Sequence, residues 1–418
     1  MIYDVIIIGA GAAGLFSALS IKNKKVLLIE KNKAPGRKIL ISGAGQCNYT
    51  NYCDSDEFLK RYGSRGRFLK SALFNFSNAD AIDFFDKHGV KSLIREDKKV
   101  FPESLKADDV LNTLILCCKK NNVEFMYDSQ VEKIMYIEDK TEDKFFTVKT
   151  SKSSVAGHNV IIATGGMSYP NTGSTGDGYK LAQSLGHKIE KPTECLTPVY
   201  TYNYEFKDIS GISFENIGVT LWRNNKKINE FKGDFLFTHV NISGPVILNN
   251  SRYMEKGDIL RINFTAFKNS EEFKNDFEKL ILASGKMNIK AVLKKFDLPR
   301  RFVEKIMMLA DVDEEIKCSQ LDKDRRKKLI ELISNYPFKV EKLGGFHIAM
   351  VTKGGVSTEE INPKTMESKI IPHLYFAGEV IDYDGDTGGF NIQAAFSTGK
   401  LAADAINTHV RHLANQGH

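Results

Sequence analysis

Three glycines near the N-terminus are spaced as in a turn that binds phosphate groups. Gly9, Gly11 and Gly14 form a G-x-G-x-x-G pattern, which follows the β-branched run at residues 3–8 and precedes a segment that can form a helix. In such a turn the first glycine permits the bend, the second lets a diphosphate approach the backbone, and the third lets the helix pack on the sheet. Because the helix N-terminus presents free N–H groups and a partial positive charge, we predict that this turn binds a dinucleotide.

An acidic residue stands where the ribose of a dinucleotide is expected. The second predicted strand, residues 26–29, ends at Glu30, sixteen residues after Gly14. A carboxylate at this point accepts hydrogen bonds from ribose hydroxyls and disfavours a 2′-phosphate by charge repulsion. Strand, glycine turn, helix and acid together predict a Rossmann-like domain.

A second glycine-rich segment bears on which dinucleotide is bound. Residues 39–51 contain small polar side chains and two glycines, Gly43 and Gly45. A glycine-rich segment of this length between the second strand and the next helix suggests a cofactor larger than NAD, such as FAD in an extended conformation. The alternative is an ordinary surface loop.

Later segments favour FAD. Residues 373–380 predict a strand that runs into a turn, and residues 384–389 form a glycine loop before a helix that begins near Phe390. The N-terminus of that helix would stabilise negative charge on the pyrimidine edge of a reduced flavin. Residues 159–166 predict another strand, which ends in an A-T-G-G turn. Because the sequence has no second G-x-G-x-x-G, we expect no separate nicotinamide domain.

Long stretches of the chain resemble one family. Residues 36–51 are similar to the signature of the BaiN-type, or aminoacetone-oxidase-type, NAD(P)/FAD-dependent oxidoreductases. Further similarity to that family lies in residues 237–239, 243–245, 354–356, 365–369 and 375–393. The chain departs from the family pattern at Ala44 and Gln46, where a glycine and an arginine are usual, so the arginine that the family places beside the flavin is not expected at position 46.

The resemblance implies an α/β fold in which a Rossmann-like FAD-binding domain is interrupted by an inserted β-barrel-like domain and a small helical subdomain. The cofactor motifs at both ends agree with a discontinuous FAD-binding domain at residues 1–190 and 355–418. Alternating apolar residues predict antiparallel strands in the insert, residues 191–270 and 337–354. Apolar residues at helical spacing predict the helical subdomain at residues 271–336.

The motifs and the resemblance together define the predicted cofactor-binding residues. In the first half of the chain these are Gly9, Ala10, Gly11, Ala12, Ala13, Gly14, Glu30, Lys31, Arg37, Lys38, Ser42, Gly43, Gly45, Gln46, Cys47, Asn48, Val131, Ala163, Thr164 and Gly165. Near the C-terminus they are Gly378, Glu379, Asp386, Gly388, Gly389, Phe390, Asn391 and Ile392. We expect FAD as cofactor, with NADH or NADPH as a transient co-substrate.

Two residues are predicted as catalytic, each with a structural alternative. Cys47 would face the flavin, or it is a small buried residue, because a lone thiol without a C-x-x-C partner makes a poor disulfide reductase. His239 would act as acid, base or hydrogen-bond donor to substrate, or it is a structural histidine beside residues 243–245. The six cysteines show no metal-binding spacing, so we expect no metal.

Composition limits the function classes further. The 418 residues carry 59 Lys and Arg against 52 Asp and Glu, a formal charge of +7. This excess is small, and the basic run at residues 322–328 is interleaved with acids, so it predicts a solvated helix face and no nucleic-acid partner. The apolar stretch at residues 5–21 lacks a basic start and contains three glycines, so we expect neither a signal peptide nor a membrane span. We expect a cytoplasmic protein with reduced thiols, and its oligomeric state is open.

These observations predict a FAD-dependent oxidoreductase that acts on a small organic substrate with NAD(P)H as donor, for example by reducing an activated C=C bond. The resemblance implies that reaction and, as an alternative, oxidation of an amine of the aminoacetone type. Further alternatives are an RNA-associated flavoprotein and a plain NAD-dependent dehydrogenase.

Overall fold

The computed structural model describes residues 2–138 and 144–414. The predicted FAD-binding ranges also include residues 1, 139–143 and 415–418, which lie outside the described residues. By its packing the chain divides into two units, residues 1–193 with 350–418 and residues 194–349. The segments predicted as a β-rich insert and a helical subdomain thus fall mostly within one unit.

The described residues form eighteen strands and thirteen α-helices. The strands are β1 (Ile2–Ile8), β2 (Val26–Ile29), β3 (Thr50–Asn51), β4 (Ser92–Ile94), β5 (Lys99–Pro102), β6 (Glu124–Met126), β7 (Val131–Glu138), β8 (Lys144–Thr150), β9 (Ser154–Ile162), β10 (Ile189–Cys195), β11 (Val199–Thr201), β12 (Ser213–Arg223), β13 (Lys226–Phe237), β14 (Ile242–Ser243), β15 (Ile259–Asn263), β16 (Tyr336–Leu343), β17 (Val351–Val356) and β18 (Leu374–Phe376). The helices are α1 (Ala12–Ser20), α2 (Arg37–Ile41), α3 (Ser55–Lys60), α4 (Gly66–Asn75), α5 (Asn78–Lys87), α6 (Ala107–Lys120), α7 (Asp177–Ser184), α8 (Pro245–Asn250), α9 (Ser270–Ala283), α10 (Ile289–Leu293), α11 (Arg300–Leu309), α12 (Lys323–Ser334) and α13 (Phe390–Ala414).

The first unit is built on a seven-stranded sheet. Its order is β6-β2-β1-β9-β8-β7, and β18 pairs with β9 beside this path. The pairs of β1 with β2, β1 with β9, and β9 with β18 are parallel, so the carboxyl ends of these strands share one edge. Val5, Ile6 and Ile7 of β1 are fully buried, as expected for a central parallel strand covered on both faces.

The first and last helices pack against each other in this unit. A Cβ atom on Gly399 of α13 would lie 2.6 Å from the carbonyl oxygen of Ala13 and 2.9 Å from Oγ of Ser17, both on α1. Only a glycine permits so close a crossing. At the far end of the contact, Nδ2 of Asn407 donates to the carbonyl of Ser20 at 3.1 Å. The two ends of the chain therefore meet, as the separated cofactor motifs require.

The second unit is a closed barrel with helices on the same core. The barrel order is β11-β14-β13-β12-β15-β16. Phenylalanines fill its interior, with the rings of Phe206 and Phe237 stacked at a centroid distance of 4.4 Å. Phe302 of α11 reaches this cluster, since its ring lies 4.8 Å from that of Phe264. Because barrel and helices share one core, the helical segment does not form a core of its own.

The predicted α/β class is confirmed, with a Rossmann-like sheet and a barrel formed by the intervening segment. Within the described residues, no helix combines the length and apolar character that a membrane span requires.

Candidate functional site

The N-terminal glycine turn has the geometry that its spacing predicts. Gly9 has a positive φ of +102°, and a Cβ on it would lie 2.6 Å from the carbonyl oxygen of Ala163. A Cβ on Gly14 would lie 1.8 Å from the carbonyl oxygen of Gly9, so the helix sits directly on the turn. A Cβ on Gly11, in contrast, would meet no atom within 4 Å. The backbone at Gly11 therefore faces open space.

The open space lies at the N-terminus of α1, where it fits a diphosphate. Gly11 caps the helix without a side-chain hydrogen bond, and the first turn carries no acidic residue. The N–H groups of that turn, including those of Ala12 and Ala13, have no carbonyl partners within the helix. They and the helix dipole favour an anion. The residues present thus fit FAD, the cofactor predicted from the sequence.

Glu30 lies at the end of β2, beside this turn, and is buried. Its Oε2 accepts from the N–H of Ala10 at 2.9 Å, and its Oε1 accepts from the N–H and Nδ2 of Asn32 at 2.8 and 2.7 Å. Oε2, which accepts only one of these bonds, retains acceptor capacity for a ribose hydroxyl. Asn32 also accepts from Arg37 at 3.1 Å, so it joins two predicted site residues.

The loop after α2 turns sharply. Gly43 and Gly45 have positive φ angles of 55° and 85°, and so do the non-glycine residues Ala44 and Cys47, at 55° and 57°. Ser42 donates to the carbonyl of Ile39 at 2.6 Å. These left-handed residues fold the loop back on itself within a few positions.

Gln46 and Asn48 connect this loop to other segments of the same unit. Gln46 accepts from Arg95 at 2.7 Å. The Asn48 amide, oriented by its hydrogen-bond partners, donates to the carbonyls of Val100 and Thr50 and accepts from the N–H of Gly389 at 3.1 Å. The predicted second loop and the predicted C-terminal loop are therefore in direct contact.

The C-terminal glycine loop packs closely on β3. Gly388 and Gly389 have φ angles of +121° and +95°. A Cβ on Gly389 would lie 2.3 Å from the carbonyl oxygen of Thr50, and Nδ2 of Asn51 donates to the carbonyl of Gly388 at 3.1 Å. Helix α13 begins at the next residue, Phe390, with no acid in its first turn. Its N-terminus is thus held beside the second loop.

Neighbouring residues shape the start of α13. The side chain of Asn391 accepts from the N–H of Gly385 at 2.8 Å and donates to its carbonyl at 2.9 Å. Asp386 lies 3.7 Å from Arg61, and the carbonyl of Phe390 accepts from Tyr62 at 2.7 Å. Ile392, the next residue of the first turn, is half-buried and packs against the apolar core. These contacts order the turn without using the N–H groups at its end.

The two remaining predicted turns flank the first helix. Ala163 donates its N–H to the carbonyl of Ile8 at 2.9 Å, and Gly165 has a positive φ of 74°. The side chain of Thr164 faces α7, where a Cβ on Gly178 would lie 2.0 Å from its Oγ1.

On the opposite side, a Cβ on Gly378 would lie 2.7 Å from Cβ of Ala13. Beside that turn, Glu379 accepts from Lys38 and from the N–H of Thr352, each at 2.7 Å. This ion pair links α2 to the C-terminal segment of the unit.

Three further predicted residues occupy other segments. Lys31 donates to Thr175 and to Asp177, each at 2.6 Å. Val131 begins β7, two residues after Ser129, whose N–H binds the carbonyl of Glu30 at 3.0 Å. His239 is exposed in the connection between β13 and β14, in the second unit. Its catalytic role stays a prediction.

The structure disfavours the catalytic role predicted for Cys47. The residue is fully buried, and burial raises the pKa of its thiol to about 12. A neutral, inaccessible thiol is neither a nucleophile nor an acid that acts near neutral pH. The alternative given above, a small buried residue, fits this geometry.

We expect Cys47→Ala to retain most of the wild-type activity, and native Cys47 to resist alkylation that proceeds rapidly after unfolding. The pKa of the Cys47 thiol in the folded protein lies above the ordinary thiol value of 9.0. Between pH 9 and 12 the folded state therefore keeps the thiol proton while the unfolded state loses it. The contribution of Cys47 to stability is therefore complete below pH 9 and falls as the pH rises towards 12. Mass spectrometry of alkylated peptides and urea titrations of both proteins across this range would measure these effects. Rapid native labelling of Cys47 would contradict the assignment.

Sequence reasoning missed three residues that organise the site. Asn32 supports Glu30 and Arg37, Asp177 holds Lys31, and Thr352 binds Glu379 through its N–H. Asp177 could have been identified from the sequence, because it is the first residue of a helix that follows a glycine-rich segment. The pairing of Thr352 with Glu379 depends on the packing of distant segments, which no local pattern specifies. Among the described residues, no group of three or more His, Cys, Asp or Glu could hold a metal ion.

Several known proteins are similar to this chain along almost its whole length. A sequence profile described as "HI0933-like protein Rossmann domain" matches residues 3–405. The chain is 34% identical over 407 residues to the "Ribosomal RNA dihydrouridine synthase" of Escherichia coli (strain K12), a match that covers 97% of this chain and 98% of that protein. A protein of the same name from Haemophilus influenzae is 34% identical over 405 residues, covering 96% and 98%. The "3-dehydro-bile acid delta(4,6)-reductase" of Clostridium scindens is 27% identical over 414 residues, also covering 96% and 98%.

A solved structure shares the fold. The 3-ketosteroid-delta4-(5alpha)-dehydrogenase of Rhodococcus jostii RHA1 superposes with a TM-score of 0.50 at 14% identity, covering 97% of each chain. At this identity the likeness concerns the fold alone.

One prediction is wrong in the light of these relatives. The small net charge led us to expect no nucleic-acid partner, yet two relatives that span nearly the whole chain are named for an action on ribosomal RNA. Net charge is a sum over the molecule, and it does not report how charges are distributed once the chain folds.

Proposed function

Because this chain belongs to the HI0933-like family of FAD-dependent oxidoreductases, we propose that it is a ribosomal RNA dihydrouridine synthase. The observation that carries the proposal is the 34% identity to the Escherichia coli protein of that name, which extends over 97% of the chain. A relationship of that extent includes both units and every segment of the site described above.

The chemistry of the product sets what the site must do. Dihydrouridine is uridine in which the C5–C6 double bond has gained two hydrogens, one as hydride at C6 and one as a proton at C5. The double bond is conjugated to the C4 carbonyl, so it is an activated C=C bond of the kind expected from the sequence. When bound, FAD would supply the hydride chemistry; NADH or NADPH is the proposed two-electron donor and is converted to NAD(P)⁺, and the proton comes from solvent.

Residues of the first unit would hold FAD. We assign the diphosphate to the N–H groups at the start of α1, where Gly11 leaves open space. Glu30, fixed by Ala10 and Asn32, would accept hydrogen bonds from the adenosine ribose. Both groups are pre-arranged by the fold, so little ordering is required when the cofactor binds.

The start of α13 would act on the flavin end of the cofactor. Its unpaired N–H groups and dipole favour negative charge, which a reduced flavin carries at its pyrimidine edge. Asn48 and Asn51 hold the preceding glycines in place, so the helix terminus is oriented before the cofactor arrives. This arrangement supports reduction of FAD and its use as a reductant.

The reductase assignment also has support from a second relative. The Clostridium scindens protein is named as a reductase, and none of the three relatives above is named as an oxidase. We therefore do not carry forward the amine-oxidase alternative.

We expect the purified, FAD-loaded protein to form dihydrouridine in unmodified ribosomal RNA transcribed in vitro when NADH or NADPH is supplied. Nuclease digestion and mass spectrometry of the nucleosides measure the product, and reactions without the nicotinamide are the control. A parallel reaction contains a 3-oxo-Δ4,6 steroid. Turnover of the steroid with no dihydrouridine from a fully flavin-loaded enzyme would contradict the RNA assignment.

A further inference from the structure

One outer face of the barrel carries three pairs of a cation and an aromatic ring. The Arg261 guanidinium lies 5.7 Å from the ring centroid of Trp222. The ammonium of Lys339 lies 5.5 Å from the ring of Tyr202, and that of Lys342 lies 5.0 Å from the ring of Tyr200. We call these six residues the barrel face.

The strand register makes the barrel face continuous. Strands β12, β15, β16 and β11 are consecutive neighbours in the closed barrel. Ile259 pairs with Trp222 on one side and with Lys339 on the other, and Tyr200 pairs with Lys342. Side chains alternate between the two faces of a strand, and Leu260 beside Arg261 is fully buried. A register shift between β11 and β16 places Lys342 opposite Tyr200, on the same face as Lys339. The six side chains therefore share the outer surface.

The cations of the barrel face are available to a partner. Lys339 and Lys342 are exposed and Tyr202 is 40% exposed, whereas Arg261, Trp222 and Tyr200 are half-buried. In the part of the chain that the structure describes, neither lysine nor Arg261 lies within ion-pair distance of a carboxylate. The acids in the four strands of the barrel face are Glu341 of β16 and Glu215 of β12.

The basic run on α12 differs in this respect. Arg325 pairs with Asp322, Arg326 pairs with Glu278, and Lys328 pairs with Asp311. Three of the five positive charges of this run are therefore paired with neighbouring acids. It resembles the solvated helix face predicted from the sequence, whereas the barrel face keeps its charge.

Flat rings interleaved with unpaired cations are the features that bind single-stranded nucleic acid. Bases stack on the rings whatever their sequence, and the cations neutralise the phosphates between them. We propose that the barrel face binds a single-stranded segment of the substrate ribosomal RNA, an inference that rests on the proposed function. Stacking on Tyr202 anchors a base, and Lys339, Lys342 and Arg261 hold the flanking phosphates.

The test compares holoprotein variants with matched controls. The lysine pair Lys339→Ala and Lys342→Ala removes two charges from the barrel face. The control pair Lys323→Ala and Lys327→Ala removes two exposed charges from α12 in the same unit. Fluorescence anisotropy with a labelled single-stranded oligonucleotide of ribosomal RNA sequence, over a salt series, gives the affinity of each protein.

We expect the barrel pair to lower the slope of log affinity against log salt by about 1.4, because each phosphate contact on a single strand contributes roughly 0.7. The control pair should leave this slope unchanged. Tyr202→Ala should weaken binding by at least about fivefold, whereas Tyr202→Phe should retain the affinity, because it keeps the stacking ring. Flavin content and thermal unfolding show that each variant is folded.

The outcomes separate this inference from the proposed function. If the wild-type protein makes dihydrouridine but the barrel variants bind RNA as it does, the barrel-face inference fails alone. Equal affinity for a duplex of the same sequence would also overturn it, because paired bases cannot stack on a side chain. If the barrel variants lose RNA affinity as expected but the wild-type protein makes no dihydrouridine, the barrel face stands and the proposed reaction fails.

Discussion

Gly11→Val should remove FAD from the protein while leaving the protein folded. A Cβ at this position meets no protein atom within 4 Å, and the backbone there, at φ −85° and ψ −166°, is one that any residue adopts. The added side chain would occupy the space assigned to the diphosphate and keep it from the N–H groups of α1. Losing two such hydrogen bonds to a charged group, at about 1.5–3 kcal/mol each, corresponds to at least a hundredfold weaker binding.

Equilibrium dialysis or flavin fluorescence measures the FAD affinity of the Gly11→Val protein, and circular dichroism of the apoprotein reports its fold. Gly11→Ala, with a single methyl group, should give an intermediate affinity. Wild-type affinity in the valine variant would show that the diphosphate does not lie at this turn.

Gly14→Val, unlike Gly11→Val, should destabilise the folded protein, even in the absence of cofactor. A Cβ here would lie 1.8 Å from the carbonyl oxygen of Gly9, which is backbone and cannot move without displacing the whole turn. Replacing a helical glycine ordinarily gains up to about 1 kcal/mol from helix propensity. Overpacking of a rigid contact costs about 1–3 kcal/mol or more, and the loss of the packing of α1 on the sheet adds to it.

Urea unfolding of the two apoproteins provides the comparison, with Gly11→Val as the matched control three residues away. We expect the midpoint to fall sharply for Gly14→Val and to stay near the wild-type value for Gly11→Val. Equal midpoints would mean that the third glycine does not set the distance between α1 and the turn.

The parts of this fold that follow local rules could be predicted from the sequence. The strand at Ile2–Ile8, the turn at Gly9 and the acid at Glu30 each depend on short-range patterns, and the structure has them where they were expected. The contact between the N-terminal and C-terminal segments could be predicted only with the help of the family resemblance. The close crossing of α1 and α13 at Gly399 produces no periodic pattern in the sequence.

Other features arise only from packing. The left-handed conformations of Ala44 and Cys47 run against the preference of those residue types and are imposed by the surrounding loop. Burial decides the state of the Cys47 thiol, and loop position alone did not reveal it. The ion pair of Lys38 with Glu379 joins residues far apart in the sequence.

The error about nucleic acid has the same origin. A charge of +7 over 418 residues is small, and the one conspicuous basic run is paired with acids in the folded chain. The cations of the barrel face come from two distant strands, so they form no run in the sequence. The pairing of β15 with β12 and of β16 with β11 brings Arg261 and Lys339 together with their rings.

A single-turnover reaction tests the central claim most directly. The holoprotein is reduced with one equivalent of NADPH or NADH under anaerobic conditions, freed of nicotinamide, and mixed with excess unmodified ribosomal RNA. We expect the yellow flavin absorbance to return as dihydrouridine appears, with one dihydrouridine formed per flavin reoxidised. Flavin that stays reduced in the presence of RNA, yet is reoxidised by another acceptor, would show that uridine in ribosomal RNA is not the substrate of this enzyme.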